Sequence, residues 1–473
     1  MILSLIIVPV LAALLLSFMR KYAPYIFLGM TVVLAGIVGF VFTKGSALFT
    51  GADLHMPGVF MLSIDGLTQL MLALIVLIAF VTAIVALKFT KGYTFYAIAA
   101  MAVAGMNALT LVTDIFTLYV FIEVASLSTF ALIAFSRDRE GLEGGFKYLL
   151  LSAVATMFIL LGIFLLYAIS GGVSFAEISV AVRNPANARM TLLAAACLIA
   201  GLSLKSGFVP FHTWVPDAYS SAPNAVSVAL AGIITKAVGL YALMRLMFNV
   251  LGVTPAMTSI MLIIGIASAV IGAIAAIMEN NSKRMLAWSS VSQMGYILLG
   301  LFSGTPLGIL GGVFHLFNHA VLKSLLFVNV AAIEERTGSR DLSSMGGLGS
   351  RMPVTAGTFA VGSLSIAGIP PLGGFWSKLF ILIALFSSGN TVLGFIATLV
   401  SVLTLWYFLA FQRKAIFGIT IDAFKSVREA SLTLVIPALL LAAIAVFSGL
   451  GFVPVLDIFI RPAAAVIGKG VLW

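Results

Sequence analysis

Charge is scarce in this 473-residue chain: Asp, Glu, Lys and Arg make up only 9% of it, against about 25% in an ordinary soluble domain. With 62% hydrophobic residues, a water-soluble globule would lack the polar surface to cover itself. Soluble enzymes, nucleic-acid binders and disordered tails are thereby excluded. Cysteine is nearly absent, and the single Cys197 excludes a disulfide framework or a Cys-ligated cluster. There is no Walker A loop for hydrolysing ATP and no strand followed by a Rossmann fingerprint. The alternation of a membrane β-barrel, in strands of ~10 residues, is also missing. What is present instead is a series of apolar runs of about 18 residues or more, the length of a membrane-spanning helix. The net charge of +10 then belongs to cytoplasmic loops rather than to a nucleic-acid surface.

Hydropathy predicts an all-α polytopic membrane protein with about fourteen transmembrane helices. The spans are 2–19, 25–43, 66–87, 94–112, 115–136, 148–169, 191–211, 225–247, 258–278, 286–303, 307–331, 355–386, 390–411 and 431–449. The first lacks a basic flank and a cleavage site, so it is expected to be a retained helix and not a signal peptide. The segment from Leu450 to Trp473 is too short and broken to span, and is expected at the interface with Trp473 at headgroup depth. With the N-terminus outside, sixteen of the 26 Lys and Arg residues lie in inner loops, Lys283 among them. Six lie in outer loops and helix ends, Arg245 among them, and Lys205, Lys236, Lys323 and Lys378 fall within spans. This asymmetry obeys the positive-inside rule and puts both termini on the outer face of the plasma (inner) membrane.

Two spans are interrupted alike, at Lys205-Ser206-Gly207-Phe208-Val209-Pro210 and at Ala367-Gly368-Ile369-Pro370-Pro371. Gly207 and Gly368 are 161 residues apart, as are Pro210 and Pro371. The fourth and ninth spans begin at a similar separation. The pattern predicts two five-helix units, residues 93–249 and 256–414, between an N-terminal three-helix segment (1–92) and a last helix with its tail (430–473). Five crossings are odd, so consecutive copies are inverted. Broken helices at matching positions of an inverted repeat point to an ion or substrate path.

Charged residues inside spans cost at least ~2.5–3.5 kcal/mol each, so those that occur invite a functional reading. Glu123, Lys205, Lys236 and Lys378 are such residues. The eleventh span adds His315, His319 and Lys323 at steps of four, which places them on one helix face with about 40° of drift per step. Asn318 sits beside them. Imidazoles and buried amines titrate near neutrality, which suits proton hopping along a polar seam. In the expected arrangement Lys323 is the one nearest Lys378. No Cys or acid accompanies the two His within their span, so a metal is not expected, and no cofactor ligand is visible.

Several stretches resemble one family. Phe211-His212-Thr213-Trp214-Val215-Pro216-Asp217 through Pro223 is similar to its loop after helix seven. Ala231-Gly232-Ile233-Ile234-Thr235-Lys236 is similar to its eighth-helix lysine segment. The run from His315 to Ser324 resembles its eleventh-helix signature, and Gly368 through Lys378 its broken twelfth helix. These are marks of the antiporter-like membrane subunits of respiratory complex I, Mrp-type Na+/H+ antiporters and energy-converting membrane hydrogenases. The resemblance implies fourteen helices, two inverted five-helix repeats with helices seven and twelve broken, and a proton path through the membrane. In that path Glu123 and Lys205 form a pair, and Lys236 is the central relay. His315, His319 and Lys323 bridge the halves, and Lys378 is the exit-side lysine, with His212 and Asp217 in support. It implies H+ translocation, or H+/Na+ exchange, beside other membrane subunits that include paralogues. Tyr219 stands where many relatives carry His, and the chain stops short of the long lateral helix of the largest paralogue. A complex I fourth-type or Mrp D-type role is therefore expected. The competing readings are a solitary transporter of an organic solute, which also uses broken inverted repeats, and a membrane scaffold. A row of charges favours protons over a solute pocket, and a scaffold has no use for buried ionisable groups.

Overall fold

Each of the fourteen apolar segments is helical in the computed structural model, which describes residues 1–44, 61–90, 92–420 and 422–468. Among these residues extended pairing is limited to three isolated bridges. Among the described residues eleven helices are long and apolar enough to cross a membrane, and the chain is a multi-pass membrane protein. Ser4–Phe18 is short of that length, and Ser282–Leu301 is too polar. The twelfth segment is divided into Pro353–Ala367 and Gly373–Ser387. Trp473, Lys91 and Lys469, which enter the interface and charge assignments, lie outside the described residues.

Helix starts follow side-chain caps, because the first backbone N–H groups of a helix need acceptors. Asp65, Asp114, Asp138, Thr254, Asn281 and Thr305 each accept from a backbone N–H in the first turn. The sixth helix, Arg139–Ser170, starts nine residues ahead of its expected span because Asp138 caps it; its first turns are polar and escaped the hydropathy pattern. The tail is helical from Phe452 to Gly468. It folds back on Gly66–Phe89 with Ala463 and Ile467 buried, and Asn249 donates to the Val466 carbonyl at 2.8 Å.

Both breaks close with the same motif. Gly207 and Gly368 adopt left-handed conformations, φ +75° and +92°, which glycine reaches without steric cost. In the first, Gly207 N–H bonds the Leu204 carbonyl and Phe208 N–H that of Ser203; in the second, Gly368 bonds Ser365 and Ile369 bonds Leu364. These i→i−3 and i→i−5 bonds are a Schellman cap. The Val209–Pro210 and Pro370–Pro371 bonds are cis. The chain then restarts as Trp214–Ser221 in one half and as the longer Gly373–Ser387 in the other.

The restart after the second break packs backbone to backbone. A Cβ on Gly374 would stand 1.9 Å from the Ser365 carbonyl oxygen. Gly374→Val is expected to lower the yield and thermal midpoint of the folded protein severely, since main chain cannot yield as a flexible side chain can. Gly357→Ala, with open space around its Cβ, is expected to leave both unchanged.

Two helices form the centre. Pro306–Thr337 is buried along its full apolar window and Asn224–Leu251 along 94% of it, whereas Thr391–Ile416 on the periphery is only 33% buried. The central pair carries Lys236, His315, His319 and Lys323. Asn224–Leu251 is also widened, with π-helical turns at Leu230–Ile234, Lys236–Tyr241 and Arg245–Leu251. Such turns are rare and concentrate at functional sites.

Candidate functional site

The fifth, sixth and seventh helices build one end of the site. Lys205 precedes the first break by two residues, so its side chain leaves a helix end that the Schellman cap has fixed. Its ammonium donates to Glu123 Oε1 at 2.9 Å, Ser126 Oγ at 2.9 Å and Ser152 Oγ at 2.7 Å. Thr156 donates to the same Glu123 oxygen at 2.6 Å. The lysine side chain is 1% exposed and the glutamate 23%. A buried ion pair holds only where further hydrogen bonds complete its shell, and here three hydroxyls do so.

Lys236 is wholly buried on the central helix. Its ammonium donates to the Ala231 carbonyl five residues back, within the π-helical stretch. Tyr219 bonds the Leu230 carbonyl at 3.0 Å and the Thr235 hydroxyl at 3.2 Å, buttressing the same turns.

On Pro306–Thr337 the four-residue spacing brings His315 and His319 face to face. Their rings are stacked at 14°, with centroids 6.3 Å apart. His319 lies within electrostatic reach of Lys236, Lys323 and Lys378. Its two ring nitrogens, His315 Nε2 and Lys378 Nζ have no hydrogen-bond partner among the described residues. Buried polar atoms normally find partners. These four lie close together, on His315 and His319 of one helix face and on Lys378 beside it. Lys323 donates to the Leu286 carbonyl at 3.0 Å and to Ser289 Oγ, both on Ser282–Leu301.

The contacts put His315, not Lys323, beside Lys378. His315 Nδ1 is 3.0 Å from Ser377 Oγ, and its ring lies 5.9 Å from that of Tyr296, over which the Lys378 ammonium sits. The physical reason is the restart at Gly373, which sets Ser377 and Lys378 against the first turns of Pro306–Thr337, where Gly311 meets Phe380 and Ile381. Asn318 is not part of the seam. It donates to the Gly373 carbonyl at 3.0 Å and accepts from Ser448 at 3.1 Å, clamping the break.

His212 and Asp217 stand apart from this row. His212 lies in the first break, 5.3 Å from the Trp288 ring. Asp217 bonds Lys147 at 2.7 Å and also Arg284, and lines a polar cavity of about 230 Å³ with Glu140, Glu143 and Arg340. Burial pushes the Asp217 carboxyl up, but the two cations outweigh it and hold it below the usual carboxylate value.

Two basic residues counted with the loops and helix ends are instead buried. Lys283 lies 3.7 Å from Glu334 and donates to the Ala222 carbonyl. Arg245 grips Asp65 through two bonds of 2.6 and 3.0 Å. Their place near helix ends hid them, because charge counting cannot tell a loop residue from one turned inward. Tyr296 was also missed. The signal for it was the Ser289-Ser290-Val291-Ser292-Gln293 run in its helix, too polar to face lipid.

The profile of the family described as NADH:quinone oxidoreductase/Mrp antiporter, TM matches residues 112–404. NADH-quinone oxidoreductase subunit N of Desulforudis audaxviator is 37% identical over 320 residues, which cover 67% of this chain and 63% of that protein. F(420)H(2) dehydrogenase subunit N of Methanosarcina mazei is 33% identical over 365 residues, 73% of this chain and 73% of that one. A chain of the Mrp complex from Dietzia sp. DQ12-45-1b superposes with a TM-score of 0.86 at 26% identity, covering 100% of this chain and 99% of its own.

Proposed function

Because the chain belongs to the NADH:quinone oxidoreductase/Mrp antiporter transmembrane family, we propose that it is an ion-translocating subunit of a multisubunit membrane complex. It passes H+ along Glu123, Lys205, Lys236, His319, Lys323, His315 and Lys378. The observation that carries this reading is the burial of every one of these groups but Glu123, which is partly exposed, on and beside the two central helices, with cations and imidazoles in electrostatic reach of one another. A solute transporter needs a single pocket instead. The cavity of about 600 Å³ in this chain is lined by such residues as Leu307, Leu310 and Ala464, and by none of the row.

In this reading all fourteen segments cross the plasma (inner) membrane, residues 93–249 and 256–414 are inverted repeats, and both termini face outward. The matching Schellman breaks support the repeat, and the Lys/Arg asymmetry supports the orientation. Paralogous antiporter-like subunits are the expected neighbours. H+ is the translocated ion, with Na+ the alternative partner of exchange. Glu123 and Lys205 stabilise an incoming charge, Lys236 relays it, the stacked histidines carry it between the halves, and Lys378 releases it.

The test is transport by the purified complex in sealed vesicles. His315→Ala and His319→Ala are each expected to slow proton movement, because a water molecule can bridge one missing hop. The double variant is expected to fall by about a hundredfold or more, the scale of a lost acid–base group. Assembly should persist in all three, since neither His319 nitrogen has a hydrogen-bond partner among the described residues and His315 holds only the Ser377 hydroxyl. A double variant that transports normally overturns the assignment.

A further inference from the structure

Lys205 lies two residues before Gly207 of the first break and Lys378 ten residues past Gly368 of the second, so the two lysines are not repeat-equivalent, and they are held by different groups. Lys205 of the seventh span meets the Glu123 carboxylate of the fifth at 2.9 Å. In the second five-helix unit the tenth span corresponds to the fifth and the twelfth to the seventh. The tenth, Ser282–Leu301, contains no Asp or Glu. What it presents to Lys378 is the ring of Tyr296, with the ammonium 4.6 Å from the centroid. The ammonium is buried and has no hydrogen-bond partner among the described residues.

The Tyr296 hydroxyl is engaged elsewhere. It donates to the Ala397 carbonyl and pairs with the Ser401 hydroxyl at 2.9 Å. Those bonds anchor the ring, so its face and not its hydroxyl meets the ammonium. The other titratable groups that act on or are acted on by Lys378 are His315, His319 and Lys323, all on Pro306–Thr337, and none is an anion.

We propose that Tyr296 is the positioning residue of Lys378: its ring face meets the ammonium where Lys205 instead has a carboxylate, and it holds the ammonium beside Ser377 and His315. The consequence for transport rests on the ion-translocating reading above; the contact itself does not. An aromatic face attracts an ammonium through its quadrupole, most strongly where water is excluded, without neutralising it. A carboxylate in the same surroundings forms a full ion pair. The two halves thus grip their lysines unequally, and the looser grip belongs to the lysine that must release its proton.

The experiment uses the purified complex that carries the chain, with Tyr296→Phe and Tyr296→Leu, each also combined with Lys378→Met. Tyr296→Phe keeps the ring face and is expected to transport close to the wild type. Tyr296→Leu is expected to lose about tenfold or more, the scale of a desolvated cation–π contact. The thermal midpoint gives a reading independent of transport. Tyr296→Leu is expected to lower it when Lys378 is present and far less in the Lys378→Met background. A complex that moves no ions even as wild type defeats the translocation reading, while the midpoint cycle still judges the contact. Wild-type transport by Tyr296→Leu, equal damage by Phe and Leu, or equal midpoint losses in both backgrounds overturns the proposal. Should Tyr296→Leu fail to assemble, the double variant with Lys378→Met decides: rescue of assembly supports the pairing, and no rescue overturns it.

Discussion

Lys236→Arg is expected to stop ion transport as completely as Lys236→Ala, by about a hundredfold or more in each case. The two substitutions fail for different reasons. Alanine removes the carrier. Arginine keeps a cation at the site but cannot surrender its proton under any physiological condition. Lys236 is wholly buried, with its ammonium given to one backbone carbonyl of its own helix and, among the described residues, no carboxylate paired with it. A fixed counter-charge would be built with an anion beside it; a group that must give up a proton is better served by none. The arginine variant therefore separates a relay from a structural cation. Proton uptake by vesicles carrying the assembled complex measures it, and full transport by Lys236→Arg would leave Lys236 as a static charge. Gly232 and Gly239 flank the lysine, and a Cβ on either would collide with Ser324 or Ser206. The helix is packed as tightly as its neighbours allow, so the larger guanidinium also tests space, and assembly must be followed beside transport.

The helices were legible in the sequence because burial in lipid forces apolar runs of fixed length, and the breaks were legible because glycine and proline announce them. His315, His319 and Lys323 were legible as a face because helix geometry converts a spacing of four into proximity. The pairing of Glu123 with Lys205 was expected from the family resemblance, and the structure supplies the serines and threonine that complete it. What the sequence concealed depends on contacts between distant segments. The π-helical turns around Lys236 have no local signature in the residues that form them. The partner of Lys378 was hidden because a tyrosine in a span is usually core, and only the fold shows that its ring faces an ammonium. Asn318 misled in the opposite sense: neighbourhood in sequence suggested the seam, while its side chain turns to the Gly373 carbonyl.

Glu123→Gln is expected to nearly abolish transport while the complex still assembles. Glutamine keeps the volume and can still accept from Thr156, which now bonds the carboxylate at 2.6 Å. What disappears is the charge facing Lys205 at 2.9 Å. Removing one member of a buried pair costs ~3–5 kcal/mol, because the other is left uncompensated in an apolar interior. Here Ser126 and Ser152 remain as acceptors and soften that loss for the fold, so Lys205 stays in place. They do not soften it for a travelling proton, since neutral hydroxyls orient toward a cation without balancing it. The barrier to charge arriving at Lys205 therefore rises by a large part of that cost, about a hundredfold in rate or more. Glu123→Asp keeps the charge one methylene further away and is expected to retain partial transport, ranking between the wild type and glutamine. Proton uptake and the amount of assembled complex, measured on the same membranes, decide it. Near-normal uptake by Glu123→Gln would mean that Lys205 needs only its hydroxyl partners, and the ion pair would then be a device of folding rather than of transport.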